Sequence, residues 1–224
     1  MARILLGVTG SVAAVRTPAL YRALCGGGHS VRVLATRPSL YFFDPAELGP
    51  PGASTDDGTV PPGPLFRDED EWPAPGYRRG DAVLHIELRK WADLLAVAPL
   101  DANTLAKLAL GLSDNALTCV LRAWDFARPV VLAPAMNTRM WESPVTRRHL
   151  AQILDDRGDG RAPDGWTLAE ADAVFARHAP GIVLVPPMAR RLACGDVGVG
   201  AMAEVAAIAE VVRGVLENSP GIGP

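Results

Sequence analysis

Three side chains of this 224-residue chain have the types and surroundings that proton transfer, thiol chemistry and ligand binding require. His85 lies in an apolar run beside the acidic Glu87, where an imidazole that titrates near neutral pH could exchange protons. Cys194 follows a basic pair in a glycine-flanked segment, where an accessible and partly activated thiol is expected. Asn137 follows the apolar run at 130–133 and would lie at the carboxyl end of a buried strand, which is a ligand position.

The segment from Pro134 to Trp141 allows two interpretations of Asn137. In the first, the amide faces a ligand, and Met136, Met140 and the tryptophan line a pocket for a flat aromatic ring. In the second, Asn137 caps the following helix while the same three side chains pack beneath it. The residues alone leave both interpretations open.

His85 could also be a structural histidine whose ring is satisfied within the fold. Arg190 and Arg191 could meet an anionic substrate, with a solvated basic pair as the alternative. The other histidines are predicted to be surface residues and the other cysteines packing thiols: these are His29, His149, His178, Cys25 and Cys119. The cysteines are not clustered at metal-ligand spacing, so no metal site is predicted.

The elements that must hold these residues alternate between short apolar runs and helical patterns. Strands are predicted at 3–8, 30–35, 65–66, 94–98, 130–133 and 182–185, with helices between them and a closing helix at 202–216. Such alternation is typical of an α/β protein with a doubly wound, mostly parallel sheet. The glycine-rich segment at 190–200 is predicted to be a mobile flap.

Three strand-to-helix turns could bind phosphate, because helix N-termini present unpaired N–H groups and a favourable dipole. They are Gly10–Ser11, Thr36–Ser39 and Asp101–Thr104. The sequence has neither G-x-G-x-x-G nor G-x-x-x-x-G-K-[ST], so a mononucleotide such as FMN is a better prediction than a dinucleotide or a P-loop ligand. Ordinary N-caps are the alternative for each turn taken singly.

Length and composition predict a single domain over residues 1–217 with a short flexible tail at 218–224. Stretches rich in proline, glycine and polar residues predict surface insertions at about 48–64 and 155–180. A net charge of -3, from 22 basic and 25 acidic residues without a basic tract, argues against nucleic-acid binding. Three widely spaced cysteines favour a reducing, cytoplasmic compartment, and no targeting or membrane segment is expected.

Five motifs together carry a resemblance to a known family. They are HIELRKWAD at 85–93, APLDANT at 98–104, DNALTC at 114–119, PAMNTRMW at 134–141 and LACGD at 192–196. In this order, they closely resemble the homo-oligomeric flavin-containing cysteine decarboxylases, and within them the phosphopantothenoylcysteine decarboxylases. The resemblance runs from Arg3 to about Val212 and leaves out the two predicted insertions.

The resemblance implies a flavodoxin-like, Rossmann-like three-layer sandwich that binds FMN and forms a cytoplasmic homotrimer with its sites at subunit boundaries. It implies a lyase that decarboxylates 4'-phosphopantothenoylcysteine to 4'-phosphopantetheine in coenzyme A biosynthesis. The substrate has no carbonyl placed to accept the electrons that departing CO2 leaves behind, so the flavin serves as a reversible electron sink. No nucleic-acid or membrane partner is implied.

The same resemblance implies roles for individual residues. His85 matches the base of the decarboxylation, Asn137 the amide that holds the substrate, and Cys194 the proton donor of the final reduction. The positions that match FMN contacts are Gly10, Ser11, Val12, Thr36, Asp101, Ala102, Asn103, Thr104 and Ala135. Pro38 stands where relatives often have a serine, and Ser39 is expected to compensate.

Two other functions fit parts of the same resemblance. Some relatives bind flavin and regulate a phosphatase, and others decarboxylate the C-terminal cysteine of a peptide. No long acidic extension of the kind that regulatory relatives often carry is expected, and Cys194 favours the pantetheine product.

Overall fold

A parallel six-stranded sheet forms the centre of the computed structural model, which describes residues 1–49, 63–159, 163–191 and 197–218. The strand order is β3-β2-β1-β4-β5-β6, and every neighbouring pair is parallel. The strands are β1 (Arg3–Val8), β2 (Ser30–Ala35), β3 (Leu65–Arg67), β4 (Leu94–Leu100), β5 (Val130–Pro134) and β6 (Ile182–Leu184). The chain winds outward from β1 to β3 and then returns to place β4 on the other side of β1, so the topological switch point lies between β1 and β4.

Helices cover both faces of the sheet, as the continuous apolar runs of its strands require. They are α1 (Thr17–Gly26), α2 (Asp68–Glu71), α3 (Leu84–Trp91), α4 (Ala102–Leu110), α5 (Ala116–Ala123), α6 (Thr138–Trp141), α7 (Pro144–Arg157), α8 (Ala171–His178) and α9 (Val205–Asn218). An antiparallel pair, β7 (Met188–Arg191) and β8 (Val197–Ala201), precedes the last helix.

Two apolar cores lie on opposite sides of the sheet, because successive side chains of a strand point to opposite faces. In β1, Leu5 packs into the core shared with α3, α4, α5, α7 and α8, whereas Ile4 and Leu6 pack into the core shared with α1 and α9. The prediction of a doubly wound α/β sandwich is therefore confirmed.

The segment at 155–180 differs from the surface insertion predicted for it. Trp166, Ala171, Phe175 and Ala179 are buried in the core beneath α7 and β6. Their spacing places one apolar face of α8 inward, a helical signal that the surrounding polar and glycine residues obscure. Most of the insertion predicted at 48–64 and nearly all of the predicted tail lie outside the described residues.

No helix in the described ranges is both long enough and apolar enough to cross a membrane.

Candidate active site

A cavity of about 590 Å³ opens at the switch point, where the carboxyl ends of β1, β4 and β5 meet. This volume is in the range of ordinary small-ligand sites. Its walls are Gly10, Ser11, Val12, Ala13, Val15, Arg16, Asp101, Ala102, Asn103, Ala135, Met136, Asn137, Met140, Arg190, Gly200, Ala201 and Met202. Two of the predicted phosphate-binding turns and Asn137 therefore meet at one place.

The turn after β1 is built for close backbone approach. A Cβ atom on Gly10 would lie 2.7 Å from the Cβ atom of Pro38 and 3.3 Å from a carboxylate oxygen of Asp101, so only glycine fits without displacement. Ser11 caps the short 3-10 helix that follows, since its hydroxyl accepts the N–H of Ala13 at 3.3 Å.

The turn after β4 ends in the nine-residue helix α4, capped by Asp101. The Asp101 carboxylate accepts the Thr104 N–H at 2.7 Å, and its carbonyl accepts the first helical bond, from Leu105, at 3.0 Å. The N–H groups of Ala102 and Asn103 precede that bond, so the helix does not use them, and both residues line the cavity. This N-terminus is suited to an anionic group of a bound ligand.

Thr9 joins these two turns, and no sequence motif predicted this contact. Its hydroxyl donates to the carbonyl of Pro99 at 2.8 Å and accepts the N–H of Asp101 at 2.7 Å. Thr9 is fully buried, so both bonds are shielded from water. It therefore fixes the spacing of the turns that frame the cavity.

The second predicted turn, at Thr36–Ser39, does not contribute side chains to the cavity wall. The Thr36 hydroxyl donates to the carbonyl of Val8 at 3.2 Å, and the Ser39 hydroxyl donates to the carbonyl of Thr36 at 2.7 Å. Both residues are buried. Thr104, another predicted cofactor contact, is also buried, and its N–H donates to the Asp101 carboxylate. The Ser39 hydroxyl donates to the backbone and Ser39 does not line the cavity, and its expected compensation for Pro38 stays a prediction.

Asn137 combines the two interpretations that the sequence left open. Its side-chain oxygen accepts the N–H of Arg139 at 2.9 Å and so caps α6, while the residue also lines the cavity. Met136 and Met140 line the cavity as well, whereas Trp141 is buried in the core below. The methionines therefore face the ligand space, and the tryptophan braces the segment.

The β7–β8 pair closes the cavity on the side of Asn137. The Met136 N–H donates to the carbonyl of Gly200 at 2.9 Å. A Cβ atom on Gly200 would collide with the Met136 carbonyl oxygen, and one on Gly198 would lie 2.6 Å from the Thr138 side chain. Glycine at both positions lets this pair of strands lie directly against the Asn137 segment.

Two arginines mark the polar rim of the cavity, and the sequence pointed to only one of them. Arg16 and Arg190 both line the cavity and both pair with Glu204, each at 2.9 Å. All three side chains are partly exposed, so the pairs contribute little to stability by themselves. They place two guanidinium groups at the mouth of the cavity, joined by one carboxylate.

His85 lies apart from this cavity in its own chain. It is the second residue of α3 and does not line the cavity wall. Its ring pairs with Glu71, with 2.6 Å between Nδ1 and Oε1, and not with the adjacent Glu87, which pairs with Lys90. Cys194, the third predicted group, lies outside the described residues.

Comparison with known proteins assigns the chain to a family. The family model described as Flavoprotein matches residues 1–217. The chain belongs to the flavoprotein family. It is 44% identical over 218 residues to phosphopantothenoylcysteine decarboxylase from Oryza sativa subsp. japonica, covering 97% of this chain and 82% of that protein.

Solved structures agree with this assignment. The flavoprotein is similar, at 42% identity and a TM-score of 0.74, to a cysteine-to-serine mutant of PPC decarboxylase complexed with pantothenoylaminoethenethiol, covering 97% of this chain and 99% of that one. It is also similar, at 44% identity and a TM-score of 0.71, to the FMN-binding protein AtHal3, covering 96% and 97% of the two chains.

Cys25 and Cys119 of the flavoprotein should react slowly with alkylating reagents. Burial raises the pKa of the Cys25 thiol, and burial together with the charges of Glu71, Asp114 and Asp68 raises the pKa of the Cys119 thiol. A raised pKa leaves less reactive thiolate at any given pH below it. Peptide mass spectrometry after iodoacetamide treatment should show slower labelling of both thiols in the folded protein than in urea. Equal rates in the two states would contradict this expectation.

Proposed function

We propose that this flavoprotein is an FMN-dependent phosphopantothenoylcysteine decarboxylase, which converts 4'-phosphopantothenoylcysteine to 4'-phosphopantetheine in coenzyme A biosynthesis. The observation that carries the proposal is the meeting of the 98–104 and 134–141 motifs at one cavity, in a chain 44% identical to a decarboxylase of that name. The decarboxylase activity predicted from the sequence is confirmed by the relatives and by the matching structures.

The cavity fits FMN in both its polar and its apolar parts. The unused N–H groups of Ala102 and Asn103 suit the phosphate, and the glycine turn at Gly10 allows close backbone approach. The cavity-lining thioether side chains suit a flat ring system: Met136, Met140 and Met202. We assign the cofactor to the turns at Gly10, Ser11, Val12, Asp101, Ala102, Asn103 and Ala135. Bound there, FMN supplies reversible oxidation of the substrate's thiol-bearing carbon.

The protein's own groups handle binding and protons. Asn137 lines the cavity while its side-chain oxygen caps α6, and it holds the substrate against the methionines. His85 removes a proton from the substrate before CO2 leaves, and Cys194 returns one when the product is completed. The Arg16 and Arg190 guanidiniums at the rim favour the entry of an anionic substrate.

The proposed site needs a second copy of the chain. His85 lies on α3, away from the cavity that contains Asn137. A homotrimer with its sites at subunit boundaries brings the His85 of one chain to the Asn137 of the next. Co-expression of His85→Asn and Asn137→Ala chains should then restore part of the activity that each variant lacks alone, because mixed trimers contain one intact site. Mixed trimers without any recovered activity would contradict this arrangement.

We place the protein in the cytoplasm. The support is the odd number and wide spacing of its cysteines, together with the free thiols of Cys25 and Cys119.

Substrate comparison tests the proposed function. The purified protein, loaded with FMN, should release CO2 from 4'-phosphopantothenoylcysteine and react at least tenfold more slowly with a peptide that ends in cysteine, a discrimination of about 1.4 kcal/mol or more. Faster turnover of the peptide would assign the protein to peptide modification. No turnover of either substrate by FMN-loaded protein would overturn the proposal.

Replacing Gly200 with alanine should weaken FMN retention. The new methyl group would collide with the Met136 carbonyl and push β8 away from the cavity wall. Such overpacking costs about 1–3 kcal/mol, so the FMN affinity should fall by about fivefold or more. Flavin fluorescence during titration of the apoprotein measures the change. Gly214→Ala is the matched control, because a Cβ atom at Gly214 meets nothing within 4 Å. Equal FMN affinities for the two variants would contradict the expectation.

A further inference from the structure

We infer that Glu71 is a positioning residue for His85: its buried carboxylate fixes the ring and directs the other ring nitrogen, Nε2, toward the substrate. The inference rests on the proposed function, in which His85 is the base. It adds a residue from α2, a helix that lies outside the cavity wall.

Glu71 holds His85 by two bonds. Its Oε1 lies 2.6 Å from the ring Nδ1, and its Oε2 accepts the backbone N–H of His85 at 2.9 Å. The side chain of Glu71 is only 4% exposed, against 22% for that of His85. A carboxylate buried to this extent is costly unless its oxygens are paired, and here both oxygens are paired with the same residue.

The bidentate contact determines which ring nitrogen is free. An ionised carboxylate can only accept hydrogen bonds, so with Glu71 ionised the Nδ1 that faces it carries the proton. In the neutral ring Nε2 is then the basic nitrogen. Among the described residues, none is hydrogen-bonded to Nε2. The ring is therefore prepared to take a proton at the nitrogen that Glu71 does not occupy.

Two hydrogen bonds of Asp68 anchor α2, the helix that carries Glu71. One oxygen of Asp68, at the start of α2, accepts the Ala116 N–H at 3.2 Å, and the other accepts the Arg37 N–H at 3.0 Å. These bonds tie α2 to the start of α5 and to the turn after β2. Glu71 thus reaches His85 from a helix that Asp68 anchors at two other points.

The sequence neighbour Glu87 does not perform this role. Glu87 lies two residues after His85, but its carboxylate pairs with Lys90 on the outer side of α3, with 3.0 Å between Nζ and Oε1. Glu71 lies fourteen residues before His85 and reaches it only through the packing of α2 against α3. The pair Glu71 and Glu87 therefore offers a matched test on two helices.

Glu71→Gln should lower kcat for CO2 release by about 100-fold or more while KM, FMN content and melting temperature stay close to those of the unchanged protein. An amide can satisfy the His85 backbone N–H with its oxygen only by turning its NH2 group toward Nδ1. The proton then moves to Nε2, and the ring loses its base at that nitrogen. The analogous replacement behind a Ser-His-Asp histidine costs about 10⁴-fold in kcat through the wrong tautomer. Glu87→Gln should keep kcat within about twofold.

Histidine-selective ¹⁵N NMR reports which ring nitrogen of His85 carries the proton. This tautomer would not change if Glu71 had only a structural role. The His85 signals are assigned by their loss in His85→Asn. At alkaline pH they should show the Nδ1–H tautomer in the unchanged protein and the Nε2–H tautomer in Glu71→Gln. An Nε2–H tautomer in the unchanged protein, or an unchanged kcat in a folded Glu71→Gln variant, would overturn the inference. Full activity of His85→Asn would instead remove the proposed role of His85, so the two failures are distinguishable.

Discussion

Replacing His85 with asparagine should lower the rate of CO2 release by about 10²- to 10⁴-fold, the range that a positioned general base contributes. Asparagine has no basic nitrogen, yet it can still donate to the buried carboxylate of Glu71 in place of the ring. The variant should therefore fold, and it should retain FMN because the proposed role of His85 is proton transfer and not FMN binding. Headspace CO2 measured over the first minutes of the reaction reports the loss.

His178→Asn is the matched control for this experiment. His178 also places its Nδ1 against a carboxylate, that of Asp159 at 2.8 Å, but it lies in α8 and does not line the cavity. It should leave CO2 release within about twofold, as expected for a site away from the chemistry. Equal CO2 release by His85→Asn and His178→Asn would remove His85 from the mechanism.

Replacing Cys194 with serine should separate the two halves of the reaction. CO2 should still leave, but 4'-phosphopantetheine should not form, because the hydroxyl of serine is a far weaker proton donor than a thiol. The decarboxylated product should then lack the two hydrogens that the last step adds.

Liquid chromatography with mass detection distinguishes the two products of the Cys194→Ser variant. Cys119→Ser serves as the control, since Cys119 lies in α5 and burial raises its thiol pKa. That variant should make 4'-phosphopantetheine at close to the normal rate. If Cys194→Ser makes the complete product as well, the final proton comes from another group.

The sequence predicted the fold well where a single element carries its own signal. The apolar runs of β1, β4 and β5 gave the central strands, and the strand-to-helix turn predicted at Asp101–Thr104 contains the N-terminus of α4. Those signals are local, because a buried strand needs apolar residues along its own length and a helix end needs its own cap. The cavity followed from them, since the carboxyl ends of adjacent parallel strands meet at one edge.

Contacts between residues that are distant in the chain could not be predicted from the sequence. Glu71 rather than Glu87 pairs with His85, and Glu204 joins Arg16 to Arg190, because helix packing and not chain proximity decides these partners. Thr36 matched a cofactor position by motif and Ser39 was expected to compensate for Pro38, yet both hydroxyls bond to nearby carbonyls. A motif gives the residue type at a turn, whereas the direction of a hydroxyl depends on the carbonyls within its reach.

Product stoichiometry during turnover tests the central claim most directly. The purified, FMN-loaded protein should form CO2 and 4'-phosphopantetheine from 4'-phosphopantothenoylcysteine in equal amounts, in the absence of any added oxidant or reductant. Because the two electrons taken from the substrate return to it, the flavin absorbance should be the same before and after many turnovers. Net bleaching of the flavin with each substrate consumed, or CO2 release without 4'-phosphopantetheine, would contradict the account.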